Sequence, residues 1–488
     1  MMAAPVQVKQ WSRLSEFIAS SMGLHFPIER WDDLQRGLSG AAQEFGFRDP
    51  ATCIDWLLSA PPTQVPLQVL ANHLTIGETY FFRDQPTLDA LAEHILPPLI
   101  LERRAGERRL RFWCAACSSG EEPYSLAILL HELLPDLADW HITITATDIN
   151  AHSLNKAAAG IYGDWSFRGA PAWLRSRYFK RTEDGRYAIA PAIQRLVRFA
   201  HQNLVDDIQP SMAIDVHAMD VIFCRNVLMY FTPPQMGKVI GKLRHALVEG
   251  GWLAVSPTEA SKALFPQFTA VNFPGAILFQ KDAVLRPPEP PVAAPSPAPA
   301  LFFPEVEAAL PSAPSDPVAT AAQDSLAVAA LLYREGRYGE VVDTLLTLSA
   351  RRVPEPAACA LLARALANQG KLADALIWCE RWIAADKLDA AAHYLRAVAL
   401  LEQGDAAQAR TSLQRALYLD PGFVLAHVAL GHLERGHGKP READKHFANA
   451  LHLLRTCQPE DPMPEADGLT AGQLAETIHS VICMDTSK

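Results

Sequence analysis

The sequence predicts a multidomain chain: a helical N-terminal domain, a Rossmann-like α/β domain and a C-terminal all-α repeat domain. Three observations predict it. Between Leu110 and Gln280, β-prone runs alternate with helical ones, the pattern of a mostly parallel sheet flanked by helices. A Pro/Ala-rich stretch, RPPEPPVAAPSPAPA, then breaks any folding pattern. Beyond it, Gly336, Gly370, Gly404 and Gly438 recur every 34 residues, a period of stacked helical pairs. At 488 residues the chain is also too long for one core.

Residues 1–82 read as a small helical domain. Leu14, Phe17, Ile18 and Met22 recur at helical spacing, as do Leu34, Leu38, Ala42 and Phe45, and Pro50, Pro61, Pro62 and Pro66 punctuate the helices. His25 and His73 have no metal-spaced partners and read as ordinary. Three consecutive aromatics, Tyr80, Phe81 and Phe82, precede Arg83. They cannot all face one core. Either they wall a pocket into which Arg83 points, or they form an aromatic hinge with a surface arginine.

Residues 83–283 carry the α/β domain. The β-prone runs are Leu110–Cys114, His141–Thr147, Val197–Asn203, Asp220–Cys224 and Trp252–Ser256. A closing hairpin, Phe268–Asn272 and Ala276–Gln280, turns at Pro274-Gly275. Ligands of such sheets lie at the carboxyl ends of the strands. The polar residues expected there are Glu121, Glu122, Asp148, Asn203, Arg225 and Asn226. The run CAACSSGEEPYS opens the first βαβ unit, and Asp148 ends its second strand, where a carboxylate suits ribose hydroxyls. No GxGxxG or GxxxxGK[ST] phosphate fingerprint is present, and Glu121 and Glu122 stand where phosphate wants positive potential. An adenosine ligand without phosphates follows, and S-adenosylmethionine fits. The alternative is a non-binding acidic turn. Cys114 and Cys117 have redox or half-zinc spacing but no second pair, so they read as small core residues and no metal site is expected. Residues 160–190 read as a small β insertion near the pocket, and the basic run Arg103–Arg111 as a solvated loop.

Residues 284–321 read as an extended linker. In the repeats, 322–457, Val341, Ala375, Ala409 and Ala443 follow each glycine by five residues, and Leu345, Cys379, Leu413 and Phe447 by nine. This pattern resembles tetratricopeptide repeats, which serve protein binding or self-association, or simply a scaffold. The tail, 458–488, is polar and Pro-containing, with one helix at Ala471–Cys483. A net charge of −10 disfavours nucleic-acid binding, and no run is apolar enough for membrane insertion. With no secretory signal, a cytoplasmic location is expected.

TYFFRD, SSGEEPYS, TDI, QNL and FCRNVLMYF occur here in the order in which they occur in the CheR family of chemoreceptor glutamate O-methyltransferases. The resemblance covers about residues 10–282. A CheR-type domain joined by a Pro-rich linker to these repeats resembles the biofilm-signalling members. It implies methyl transfer from S-adenosylmethionine to glutamates of a methyl-accepting receptor, with a further protein partner of unknown identity on the repeats. Carried over by motif, Thr79 and Arg83 touch the methionine end of the cofactor. Glu122 and Asp148 lie along it, with Asp148 on the ribose, and Asn203 and Leu204 flank the adenine. Arg225, Asn226 and Tyr230 lie near the reacting methyl, and Arg83 and Tyr230 are the catalytic candidates. Many members carry Asn where this chain has Gly77.

Two other classes compete. A nitrogen methyltransferase is expected to carry an N/D-P-P-Y type of motif after the fourth strand, and CRNVLMY stands there instead. A repeat-based interaction protein with a vestigial methyltransferase domain is expected to have lost Arg83, Asp148 or Tyr230, and all three are present.

Overall fold

The computed structural model describes residues 8–59, 64–104, 106–206, 216–281, 317–349, 355–466 and 469–483. The N-terminal helices are α1 (Val8–Met22), α2 (Trp31–Glu44), α3 (Pro50–Leu57) and α4 (Gln64–Leu74). The apolar residues read at helical spacing, among them Leu14, Ile18, Leu34 and Leu38, form their common core. The Asp49 carboxylate caps α3 by accepting the Thr52 N–H at 3.0 Å. This core extends to Ile149 and Tyr230, so the helices pack against the rim of the sheet rather than standing apart.

Helices α5 (Gln85–Ala90) and α6 (Leu96–Arg104) lead into β1 (Arg109–Ala115). Then follow α7 (Glu121–Leu133), β2 (His141–Asp148), α8 (Ala151–Ala159), β3 (Ile161–Tyr162), α9 (Ala172–Tyr178), β4 (Phe179–Arg181), β5 (Tyr187–Ile189) and α10 (Pro191–Gln194). The rest of the domain is β6 (Val197–His201), β7 (Met219–Cys224), α11 (Pro233–Ala246), β8 (Leu247–Ala254), β9 (Thr269–Phe273) and β10 (Ala276–Gln280). Seven strands form one sheet in the order β6-β2-β1-β7-β8-β10-β9, parallel except for the pairings of β10. Every residue of β1 and β7 is buried, as a parallel sheet covered on both faces requires. Strand order reverses between β1 and β7, which opens a crevice at their carboxyl ends. The insertion near 160–190 is a separate three-stranded sheet, β3-β5-β4.

The repeats are helical pairs: α12 (Pro317–Arg334) with α13 (Tyr338–Ser349), α14 (Pro356–Asn368) with α15 (Leu372–Ala385), α16 (Ala390–Glu402) with α17 (Ala406–Leu419), and α18 (Val424–Gly436) with α19 (Pro440–Leu454). A final helix, α20, spans Ala471–Cys483. Helix α12 begins inside the segment read as linker, and residues 284–316 of that segment lie outside the described residues. The four period-marking glycines all adopt positive φ, 70° to 83°, at the turn within each pair.

The repeats pack on the amino-terminal edge of the sheet. Arg109 Nη2 donates to the Gly370 carbonyl at 2.8 Å, and Arg111 pairs with Glu402. A Cβ placed on Gly336, Gly370 or Gly404 would lie 2.6 Å from His245, 2.9 Å from Ala218 or 3.0 Å from His141, so three turns touch this edge in series. This corrects the reading of Arg103–Arg111 as a solvated loop. The Arg111 side chain is 2 % exposed, and Arg103 bonds Asp220 at 3.0 Å. Acidic partners from β7 and from the repeats make burial of these arginines tolerable. Among the described residues no helix is long and apolar enough to cross a membrane.

Candidate cofactor and active site

The site begins with a strained turn. After β1 the chain reaches α7 through Ala116 (φ 62°), Ser118 (φ 50°) and Gly120 (φ 90°). Left-handed backbone at non-glycine residues costs on the order of 1–3 kcal/mol each and persists only when its surroundings enforce it. Asp148, at the end of β2, enforces it: one carboxylate oxygen accepts the Ser118 N–H at 2.7 Å and the other the Asn150 N–H at 2.8 Å. Burial raises the Asp148 pKa, and these N–H bonds oppose the rise. At Gly120 a Cβ would stand 2.8 Å from that of Ala157, so only glycine fits. Cys114 and Cys117 are core residues whose thiol pKa values burial pushes well up. Among the described residues no group of three His, Cys, Asp or Glu side chains is placed to hold a metal.

Two adjoining pockets open over this turn. The larger is bordered by Asp148, Asn203, Leu204, Asn226 and Tyr230. The smaller is bordered by Thr79, Arg83, Glu122, Arg225 and Asn226. Ile76, Ala116, Ser118 and Asn226 belong to both. All nine sequence-predicted site residues therefore reach this one region, with Arg83 and Tyr230 on different pockets. Two buried polar atoms here, Ser118 Oγ and Gln202 Oε1, have no hydrogen-bond partner. Such atoms are costly unless a ligand satisfies them. An elongated molecule with a hydroxylated ring at one end and a charged amino-acid group at the other matches this pair of pockets, as S-adenosylmethionine does.

Arg225 acts differently from its neighbours. Its guanidinium, 4 % exposed, bonds Glu122 at 3.1 Å, Asp84 at 2.9 Å and the Arg83 carbonyl at 3.3 Å. It ties the Arg83 segment to the cofactor turn. Burial raises the pKa of Glu122, and the Arg225 charge opposes this. The next residue, Asn226, adopts φ 58°. Its N–H donates to Glu259 at 2.8 Å, and the same buried carboxylate accepts the N–H groups of Met229 and Ser256, both at 3.2 Å. Glu259 thereby fixes the loop that carries Asn226 and Tyr230. Its sequence signal was an acidic residue just after the fifth parallel strand.

The aromatic triplet divides its labour. Phe81 is buried against Tyr162, Phe167 and Phe179 of the insertion, Phe82 meets Trp173 edge-on, and Tyr80 borders the smaller pocket. Arg83 and Arg168 both lie over the Tyr80 ring, at 5.7 and 4.3 Å. Sequence reasoning missed the N-terminal contribution: Met22, Leu24, Phe26 and Arg30 line the larger pocket, and the Arg30 guanidinium lies 5.5 Å from the Tyr230 ring centre. His25, read as ordinary, borders it too and gives its backbone N–H to the Tyr230 carbonyl at 2.7 Å.

Residues 77–275 match the family model described as the CheR methyltransferase, SAM binding domain, and residues 326–390 and 390–423 match tetratricopeptide repeat models. A chemotaxis protein methyltransferase of Vibrio parahaemolyticus is 30% identical over 288 residues, 57% of this chain and 99% of its own. Chemotaxis protein methyltransferase 2 of Vibrio cholerae is 37% identical over 207 residues, 42% of this chain and 70% of its own. The probable biofilm formation methyltransferase WspC of Pseudomonas aeruginosa is 29% identical over 408 residues, 81% of this chain and 89% of its own, a span that takes in the repeats. With its two pockets at the strand ends and a relative matched over nearly its whole length, the chain belongs to the CheR methyltransferase family.

Proposed function

We propose that this protein transfers the methyl group of S-adenosylmethionine to glutamate side chains of a methyl-accepting, chemoreceptor-like protein in chemosensory or biofilm signalling. The observation that carries the site assignment is the pair of joined pockets, one holding Asp148 and the other Arg83. Asp148 keeps lone pairs for the ribose hydroxyls beyond those engaged by Ser118 and Asn150. Asn203 and Leu204 flank the adenine, while Thr79 and Arg83 receive the methionine end. Glu122 lies along the cofactor and is positioned by Arg225. Asn226 and Tyr230 stand beside the junction where transfer takes place.

The cofactor supplies an already activated methyl group. A glutamate is ionised at neutral pH, so the chain need provide neither a base nor a metal. Its residues align the acceptor and exclude water. Arg83 offers a fork that suits a carboxylate. The repeats add a surface for a protein partner.

The test is incubation of a receptor's cytoplasmic fragment with methyl-tritiated S-adenosylmethionine, followed by mild alkali. A glutamate ester releases its label as methanol. Base-stable label would reject ester formation and favour methylation on nitrogen. Absence of label with every receptor tried, despite tight cofactor binding, would reject catalysis and leave an interaction protein.

A further inference from the structure

Among the described residues that line the larger pocket, Arg30 is the one arginine or lysine, and it stands there with the acidic Asp148. The arginines of the smaller pocket are already engaged. Arg225 bonds Glu122, Asp84 and the Arg83 carbonyl, and Arg83 gives one nitrogen to the Glu78 carbonyl at 2.6 Å. Arg30 differs. Its Nε donates to Asp33 at a long 3.4 Å, and among the described residues its two terminal nitrogens make no hydrogen bond.

The segment between α1 and α2 sets this side chain in place. Ser15 Oγ of α1 donates to the Phe26 carbonyl at 2.7 Å, the His25 N–H to the Tyr230 carbonyl at 2.7 Å, and the Arg30 N–H to the Pro27 carbonyl at 2.8 Å. The Arg30 guanidinium then lies 5.1 Å from the Phe26 ring centre and 5.5 Å from that of Tyr230. Aromatic rings at this range attract a cation without using its N–H donors. What remains is a planar fork of donors, which receives a carboxylate in two parallel bonds.

The reaction proposed above brings two carboxylates to the site, one on the methionine end of the cofactor and one on the acceptor glutamate. Arg83, in the smaller pocket, takes the first. The second comes to the junction beside Tyr230, where an unpaired anion would be desolvated near Asp148 at a high cost. We propose that Arg30 binds the carboxylate of the acceptor side chain, an assignment that rests on the methyltransferase reading. One acceptor oxygen bonds to the methyl carbon, the carbon–sulfur bond breaks, and its electron pair stays on sulfur. The carboxylate and sulfonium charges are both lost, and no proton moves. The ester then faces Arg30 without a charge. One arginine therefore selects an anionic acceptor and loosens its hold on the product.

The test uses the full chain, a receptor fragment that it labels, and the same fragment with Gln at the labelled position. With S-adenosylhomocysteine bound, the unaltered chain should prefer the Glu fragment over the Gln fragment by at least roughly ten-fold, the usual size for hydrogen bonds to a charged group. Arg30→Gln should bind both fragments alike and show a raised KM in labelling, with its S-adenosylhomocysteine affinity kept within about two-fold. Circular dichroism verifies the fold. Should Arg30→Gln misfold, Arg30→Met, which keeps an apolar stem between the two rings, takes its place. A preference for the Glu fragment that survives in the variant overturns the proposal. So does a ten-fold or greater loss of S-adenosylhomocysteine affinity, about what one lost charged hydrogen bond gives, which would assign Arg30 to the cofactor. If the unaltered chain labels no fragment, the methyltransferase reading fails and this assignment with it. Equal labelling by both proteins removes Arg30 alone.

Discussion

Glu402→Gln removes the carboxylate that joins the repeats to the sheet. Arg111, 2 % exposed, pairs with this carboxylate, and Arg109, 9 % exposed, lies 3.8 Å from it. Taking one partner from a buried pair typically costs about 3–5 kcal/mol, because a charge is left desolvated. Here the loss is smaller. Arg109 keeps Glu107 at 3.6 Å, and Asp220 lies near both arginines, adding its attraction to that of Glu107 on Arg109. About 2–3 kcal/mol is expected, roughly 30- to 150-fold in the docking equilibrium. Hydrogen exchange reads this directly, since amides at the contact exchange when the domains part. Exchange at the turns around Gly370 and Gly404 and at the start of β1 should accelerate by that factor, with the interior of α7 unchanged. Unaltered exchange at those turns would refute the reasoning and make the contact incidental.

Three further outcomes follow from the geometry. His245, beneath the Gly336 turn, ionises at about 4 rather than 6.5, chiefly through burial, with Lys281 and Arg244 adding repulsion and Glu335 opposing it. The unfolded chain takes up this proton first, so the contribution is full above pH 6.5 and is lost towards pH 4, by up to about 3 kcal/mol. The Tm of the natural chain should fall more steeply over that window than that of His245→Gln, and parallel curves would reject the assignment. Asp148→Ala removes a carboxylate at the larger pocket and the clamp on Ser118. S-adenosylhomocysteine should bind at least roughly ten-fold more weakly by calorimetry, given about 1.5–3 kcal/mol for hydrogen bonds to a charged group. A chain ended at Ala283 keeps both pockets and should bind cofactor as the full chain does, but with a lower Tm because Arg109 and Arg111 lose Glu402. An insoluble product would show that the repeats belong to the folding unit of the catalytic domain.

The parts of the fold legible in the sequence were those set by local chemistry. Runs of β-prone residues marked β1, β2 and β7, a proline-glycine pair marked the β9–β10 hairpin, and glycines every 34 residues marked turns that need positive φ. Asp148 was legible because a strand end and a glycine-bearing turn stood side by side. Arg109 and Arg111 were not. Charge in a short basic run reads as solvated, and the partner that reverses this, Glu402, is 291 residues from Arg111. Arg30 and Met22 were missed for the same reason, since nothing near them in sequence announces a pocket completed by Asp148. Arg225 was read as a ligand contact, and its engagement with Asp84 and Glu122 depends on where three separate segments meet.

The repeats grip the strand ends opposite those that carry the pockets. Strand β1 has seven residues, and at about 3.3 Å per residue it separates the two faces by roughly 23 Å. A partner seated on the repeats is therefore mounted at a set distance from the point of methyl transfer, not swung towards it on a loose cord. Such a mounting works as a caliper. Were that partner the methylated protein, spacing as well as local sequence would decide which glutamate is modified.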